Sequence, residues 1–193
     1  MLRRLYDWTL ALAETPHALW ALAVVSFVES SFFPIPPHVM LIPMVIARPD
    51  RWALIAFVCG AASVAGGAFG YLIGAFAFET MASWVLDQYG FLEEFERFAA
   101  EFNERGVWAV LFAGATPFPF KVITILAGAT GMAFVPFLLA SIAARFGIFF
   151  LMAVLLWKIG PPIRAFIEKR LGLMAALFFT LLFGGFAAAK FLL

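Results

Sequence analysis

Four ionisable side chains, Glu29, His38, Lys121 and Arg145, stand in otherwise apolar stretches of this 193-residue chain. A charge at the centre of a lipid-embedded helix costs about 2.5–3.5 kcal/mol on insertion scales, so such groups face a protein interior or a watery path. Placed in one small bundle they are costly unless they pair. The residue types suggest Glu29 meeting Lys121 or Arg145 around a cavity that can hold an anionic head group or a proton. Each has a structural reading too. Glu29 could be a buried acid tying segments together, and His38 an interfacial cap. Lys121 could snorkel to the head groups along its four-carbon stem, which is harder for Arg145, deep in its apolar run. Other chemistry finds little support, because there is no glycine-rich nucleotide loop, metal-ligand spacing or nucleophile motif. His17 and His38 stand apart and Cys59 has no second thiol, so neither zinc, a cofactor nor enzymatic catalysis is expected. Cys59 reads as a small packing residue.

Two short segments must position these groups. Phe32-Phe33-Pro34-Ile35-Pro36-Pro37-His38-Val39 follows Glu29, and Ala115-Thr116-Pro117-Phe118-Pro119-Phe120-Lys121-Val122 repeats its pattern in the second half. In each, a Pro-x-Pro pair cuts an apolar run and a chargeable side chain follows the second proline by two residues. Proline lacks an amide donor and clashes with the preceding helical turn, so neither segment continues as a regular helix. Pro34, Pro36, Pro117 and Pro119 are therefore expected to shape the backbone. Non-helical backbone at membrane depth is tolerated only inside protein or beside a watery cavity. Paired interruptions in two halves point to a transporter-like site, where the exposed helix-end amides could themselves hold a phosphate.

With 65% hydrophobic and 13% charged residues and a mean hydropathy of +1.01, the composition is that of an integral membrane protein in one domain, residues 1–193. Net charge of +1 argues against nucleic acid as a partner. Residues 1–17 suit an interfacial amphipathic helix and carry no removable signal peptide pattern. The apolar stretch 18–47 would make a helix of about 45 Å, too long for a hydrocarbon core of about 30 Å. Split at its prolines it becomes two arms too short to cross, and a re-entrant hairpin is the geometry expected. Residues 52–78 form a full span, with Gly66, Gly70 and Gly74 lining one face for close helix packing. Residues 79–105 read as an acidic amphipathic surface helix with Phe91, Phe95, Phe98 and Phe102 as its apolar stripe. A second hairpin is expected over 107–133 and further spans over 134–157 and 171–193. The fold class is thus all-α and polytopic: two opposed proline-broken re-entrant hairpins among about three transmembrane helices, with amphipathic surface helices. The basic residues near the N-terminus, Arg48, Arg51 and the 158–170 loop then share the cytoplasmic side, and the C-terminus emerges opposite.

These residues resemble the DedA family, also called the SNARE-associated or VTT-domain family, and most closely its short bacterial branch. The likeness rests on Glu29 ahead of Phe33-Pro34-Ile35-Pro36-Pro37, on Gly66 to Gly74, on Thr116-Pro117-Phe118-Pro119-Phe120-Lys121 with Ala127-Gly128, and on Ala144-Arg145-Phe146-Gly147. It implies a multi-pass protein of the bacterial inner membrane that translocates a lipid-linked anion, undecaprenyl phosphate or a phospholipid, coupled to a proton or sodium gradient. Membrane lipids are the implied partners, and a homo-oligomer is compatible. Glu29 maps onto a family acid, whereas His38 stands where many relatives carry a second acid and Lys121 where they carry an arginine pair. Lysine supplies a compact charge in place of arginine's bidentate fork. The rival readings are a membrane scaffold or envelope-homeostasis factor that moves nothing itself and, with least support, an enzyme acting on lipid phosphates.

Overall fold

The computed structural model describes residues 17–32, 36–116 and 118–160. The 1–16 part of the expected interfacial helix, Phe33, Pro34, Ile35, Pro117 and the expected 171–193 span lie outside them. The described residues are helical throughout, as expected of the fold class: α1 (Ala18–Ser31), α2 (His38–Ala47), a 3-10 turn (Pro49–Arg51), α3 (Trp52–Ala77), a π turn (Phe78–Ala82), α4 (Ser83–Gln88), α5 (Leu92–Ala115), α6 (Phe120–Ala129) and α7 (Phe134–Gly160). At 1.5 Å per residue α3 and α7 are each about 40 Å long, enough to cross a bilayer, whereas α1, α2 and α6 are not.

Both helix interruptions fall where the prolines require them. Thr116 precedes Pro117 and adopts the extended conformation (φ −111°, ψ 171°) that a following proline imposes, which ends α5. Pro119 is extended as well, and α6 starts directly after it. In the first half α1 stops at Ser31, and Pro37 supplies a helical φ of −65° from which α2 starts at His38.

Hydrogen bonds fix the registers around α3. Ser26 Oγ donates to the Cys59 carbonyl, Ser30 Oγ meets Ser63 Oγ and Ser31 Oγ donates to the Gly66 carbonyl, so α1 runs parallel to the first half of α3. It ends level with the midpoint of α3, and α2 returns toward Pro49. Helix α6 also runs parallel to α3, but along its second half: Thr124 lies beside Gly67 and Gly70, and Ile125 and Ala129 lie beside Gly74. Helix α7 is antiparallel to α3, as Trp52 stacks on Trp157 at one end, Arg145 reaches Ser63 at the middle, and Tyr71 packs on Phe137 toward the other end. The two helix–break–helix units therefore lie end to end along α3, with their breaks meeting at its centre. One apolar core joins α1 and α2 to the first half of α3 and the last part of α7; another joins α5, α6 and the start of α7.

The Gly66, Gly70 and Gly74 face is a packing face in the structure. A Cβ at Gly66 would overlap the Phe27 carbonyl, at Gly70 the Thr124 hydroxyl, and at Gly74 the Ile125 carbonyl. Gly128 answers from α6, since a Cβ there would overlap the Tyr71 carbonyl. One glycine thus admits α1 and the next two admit α6.

Residues 79–105 differ from the single surface helix expected. A π turn and α4 end at Tyr89-Gly90, with Gly90 in the left-handed region at φ 72°. Helix α5 then runs unbroken from Leu92 to Ala115. The second unit's first arm thus begins near 92 instead of 107, and the acidic segment is its outer extension. Gly106 does not stop the helix; it makes room for the Met132 side chain. Of the phenylalanine stripe, Phe95 stacks on Phe78 at 4.7 Å, while Phe91 and Phe98 stay exposed.

Filling the glycine contacts should separate α3 from α6. Gly74→Val and Gly128→Val each lower stability by about 1–3 kcal/mol or more, the usual overpacking cost, read as a lower thermal midpoint in detergent. Gly147→Ala, which meets nothing within 4 Å, leaves the midpoint unchanged or raises it slightly.

Candidate functional site

Where the two breaks meet, the structure pairs Glu29 with Arg145. Glu29 sits in the last turn of α1, and its Oε2 accepts a hydrogen bond from Arg145 Nη2 at 2.8 Å. Arg145 Nε donates to Ser63 Oγ at 2.5 Å, Ser63 and Ser30 hydroxyls are 2.7 Å apart, and Ser30 Oγ donates to Glu29 Oε2 at 3.0 Å. A guanidinium can only donate and a carboxylate only accept. The directions around the ring are therefore fixed: Arg145 to Ser63, Ser63 to Ser30, Ser30 to Glu29, closed by Arg145 to Glu29. Three helices, α1, α3 and α7, are joined by it. The Arg145 side chain is 4% exposed and that of Glu29 16%, so solvent screens the pair weakly.

Aromatic rings complete the surroundings of Arg145. Its guanidinium carbon lies 4.7 Å from the centre of the Phe120 ring and 4.8 Å from that of Phe149, within cation–π range. Phe120 is the first residue of α6, so the second break contributes directly to holding the arginine. Phe149 also meets His38, whose ring centre is 5.5 Å from that of Phe149. His38 opens α2 and is half-buried, without a hydrogen bond to the ring of polar groups. Lys121 follows Phe120 on α6, half-buried, and its ammonium makes no ion pair or hydrogen bond among the described residues. One turn further, Thr124 Oγ1 lies 3.2 Å from the Ser30 carbonyl, tying α6 to α1 beside Glu29.

Of the two partners that the sequence left open for Glu29, the structure selects Arg145. It brings His38 and Lys121 to the same level by way of Phe149 and Phe120. Pro36 and Pro119 flank the breaks as expected, while Pro34 and Pro117 lie outside the described residues. The sequence reading missed Ser30, Ser63, Phe120 and Phe149. A signal for the serines was present: Ser26 and Ser30 repeat the four-residue spacing of Cys59 and Ser63, which marks two matching small-polar helix faces. A cavity of about 640 Å³ lies elsewhere, toward the far end of α3, lined by Tyr71, Glu79, Glu96, Asn103 and Thr130 among others. None of Glu29, His38, Lys121 or Arg145 lines it. No group of three or more potential metal ligands occurs among the described residues.

Removing one partner of a buried ion pair leaves the other charge uncompensated, at about 3–5 kcal/mol. Arg145→Met should therefore destabilise the protein strongly in the wild-type background and much less in Glu29→Gln. A double-mutant cycle on unfolding in detergent measures the coupling, which should exceed about 1 kcal/mol for groups in direct contact.

The VTT domain family profile matches residues 33–158, which include α2 to α6 and nearly all of α7. An uncharacterized protein of Haemophilus influenzae is 39% identical over 151 residues, covering 78% of each chain. An uncharacterized homolog from Histophilus somni is 44% identical over 148 residues, covering 77% of each. No solved structure matches. With the profile spanning most of the chain and two relatives aligned over more than three quarters of it, this protein belongs to the VTT-domain (DedA) family of membrane proteins.

Proposed function

We propose that the protein is a transporter or scramblase of the bacterial inner membrane that carries a lipid-linked anion, undecaprenyl phosphate or a phospholipid head group, between leaflets. The observation that carries this reading is the buried Glu29–Arg145 pair at the meeting of two helix breaks, midway along two helices of membrane length. Read in a bilayer, α1–α2 and α5–α6 are two hairpins entering from opposite sides. Their tips would put the ion pair near the midplane, where alternating access needs its binding groups.

The chemistry follows from what Arg145 can do. A phosphate oxygen and the Glu29 carboxylate compete for the same guanidinium donors, and arginine holds phosphate well because its planar fork matches two oxygens. Glu29 would then keep the site closed by occupying Arg145 until an anion replaces it. A proton taken up by Glu29 removes its charge and frees Arg145, which gives a route to proton coupling. Lys121, without an ion-pair partner among the described residues, adds the second positive charge. The amide ends of α2 and α6, both starting at the breaks, favour negative charge at the same level.

Reconstitution in liposomes with a fluorescent lipid phosphate tests the reading. Wild type should move the lipid between leaflets, and Arg145→Met should abolish movement. Lys121→Ala should slow it roughly 10- to 150-fold, the equivalent of one charge-assisted hydrogen bond at 1.5–3 kcal/mol. Glu29→Gln should keep movement but remove its response to an imposed pH gradient. Folded wild-type protein that moves no lipid, while retaining a protein partner on purification, would instead establish the scaffold.

A further inference from the structure

Ser141 is the residue of the bundle centre whose chemistry the ring of Glu29, Ser30, Ser63 and Arg145 does not use. It is fully buried, and its Oγ has no hydrogen-bond partner among the described residues. Buried hydroxyls are nearly always satisfied, and one that is not destabilises the fold that contains it. Alanine would fill the same place without that penalty, and Ala140 and Ala144 stand on either side of it along α7.

Its position is fixed by the pairs that flank it. On α7 the residues Phe137, Ser141, Arg145 and Phe149 recur every four positions, all buried, and so share one face. Phe137 packs on Tyr71 of α3 and Arg145 reaches Ser63 of α3. Halfway between these contacts lie Ser141 on one helix and Gly67 on the other. Gly67 in turn borders Phe120 and Thr124 of α6, at 3.1 and 3.3 Å from where its Cβ would stand. Ser141 thus occupies the junction of α3, α6 and α7, one turn from Arg145, with the Phe120 ring packed against both Gly67 and the guanidinium.

Arg145 also has capacity to spare. Its Nε and Nη2 are engaged, while no hydrogen bond from Nη1 occurs among the described residues. Two unmet donors therefore stand one turn apart on a single helix face, and the Phe120 ring, on the first residue of α6, covers the guanidinium at 4.7 Å. An oxyanion has several acceptor lone pairs and can take both. A cation could use the serine oxygen but would be repelled by the guanidinium.

We propose that Ser141 is a ligand of the phosphate oxyanion that Arg145 holds, engaged when the Phe120 ring moves aside. This deepens the reading of Arg145 as an anion site and rests on it, but it does not require that the bound lipid cross the membrane.

The experiment compares wild type, Ser141→Ala and Ser141→Thr as purified, folded proteins. Thermal unfolding midpoints are measured against increasing farnesyl phosphate, inorganic phosphate or farnesol, and lipid-phosphate movement is measured in liposomes. Farnesyl phosphate should raise the wild-type midpoint and farnesol should not. Ser141→Ala should unfold at the same or a higher midpoint without ligand, yet need at least tenfold more farnesyl phosphate for the half-maximal shift. Ser141→Thr, which keeps the hydroxyl, should restore most of the affinity. A Ser141-dependent shift with inorganic phosphate as well identifies the free oxyanion as sufficient; one with farnesyl phosphate alone identifies the lipid-linked form. Equal half-maximal concentrations for wild type and Ser141→Ala overturn the proposal, as does a wild type that responds to neither phosphate. A lower midpoint for Ser141→Ala at unchanged affinity also overturns it, because the hydroxyl would then be structural. If Ser141-dependent binding persists while wild type moves no lipid, the transport reading fails and the ligand assignment stands; if lipid moves equally fast in Ser141→Ala at equal affinity, the reverse holds.

Discussion

The constraint on which the rest depends is the charge of Arg145, buried within the helix bundle. Almost everything near it answers to that charge. Glu29 neutralises it, Ser63 and Ser30 complete the hydrogen bonds between them, and two phenylalanine rings lie within cation–π range. These groups come from four helices, α1, α3, α6 and α7. A buried ion pair is by itself weak evidence of stability, because desolvation offsets much of its attraction. What it does supply is specificity of arrangement, since each helix must arrive in register for the ring to close.

Register in turn comes from small residues and prolines. The two helix breaks let α1 and α6 end and begin at the level of Arg145, and without them each apolar run would overshoot that level. Glycines then set how near the arms approach α3. Gly66 admits the carbonyl of Phe27 and Gly74 admits that of Ile125, so two backbones lie against one helix at successive points on its face. In lipid there is no hydrophobic drive to bring helices together, and close backbone contact with interhelical hydrogen bonds has to do so. Serine contacts such as Ser26 to Cys59 and Ser31 to Gly66 supply those bonds along α1. The same contacts that build the fold thus bring Glu29 to Arg145.

Much of this was legible in the residues because proline and buried charge have few alternatives. Pro-x-Pro in an apolar run can only be a break, and Glu29 and Arg145 in apolar runs need partners. The glycine spacing gave the packing face of α3. Other features depended on tertiary distances that spacing does not encode. Nothing local distinguishes Lys121 from Arg145 as the partner of Glu29; the choice follows from α7 running antiparallel to α3, which places residue 145 opposite Ser63. The boundary between the acidic segment and the second hairpin was misplaced for a related reason. Polarity changes near 106, yet helix continuity is governed by backbone chemistry, and the true stop is Gly90 with its positive φ. Gly106, inside α5, accommodates Met132.

The two halves of the chain repeat a pattern without repeating a role. The first helix–break–helix unit brings the acid, in the last turn before its break, while the second brings Phe120 and Lys121 just after its own. The arginine belongs to neither unit; it sits on a long helix that packs on both. A displacement of one unit would therefore alter only part of the arginine's surroundings. Moving α1 would take away Glu29 and Ser30, and moving α6 would take away the ring of Phe120. Ser63 and Phe149, on the long helices, would stay in either case. A charge with one fixed set of contacts and two removable ones, each carried by a different end of the bundle, can be exposed from one end while remaining covered from the other. That separability follows from placing the breaks end to end along a common pair of helices.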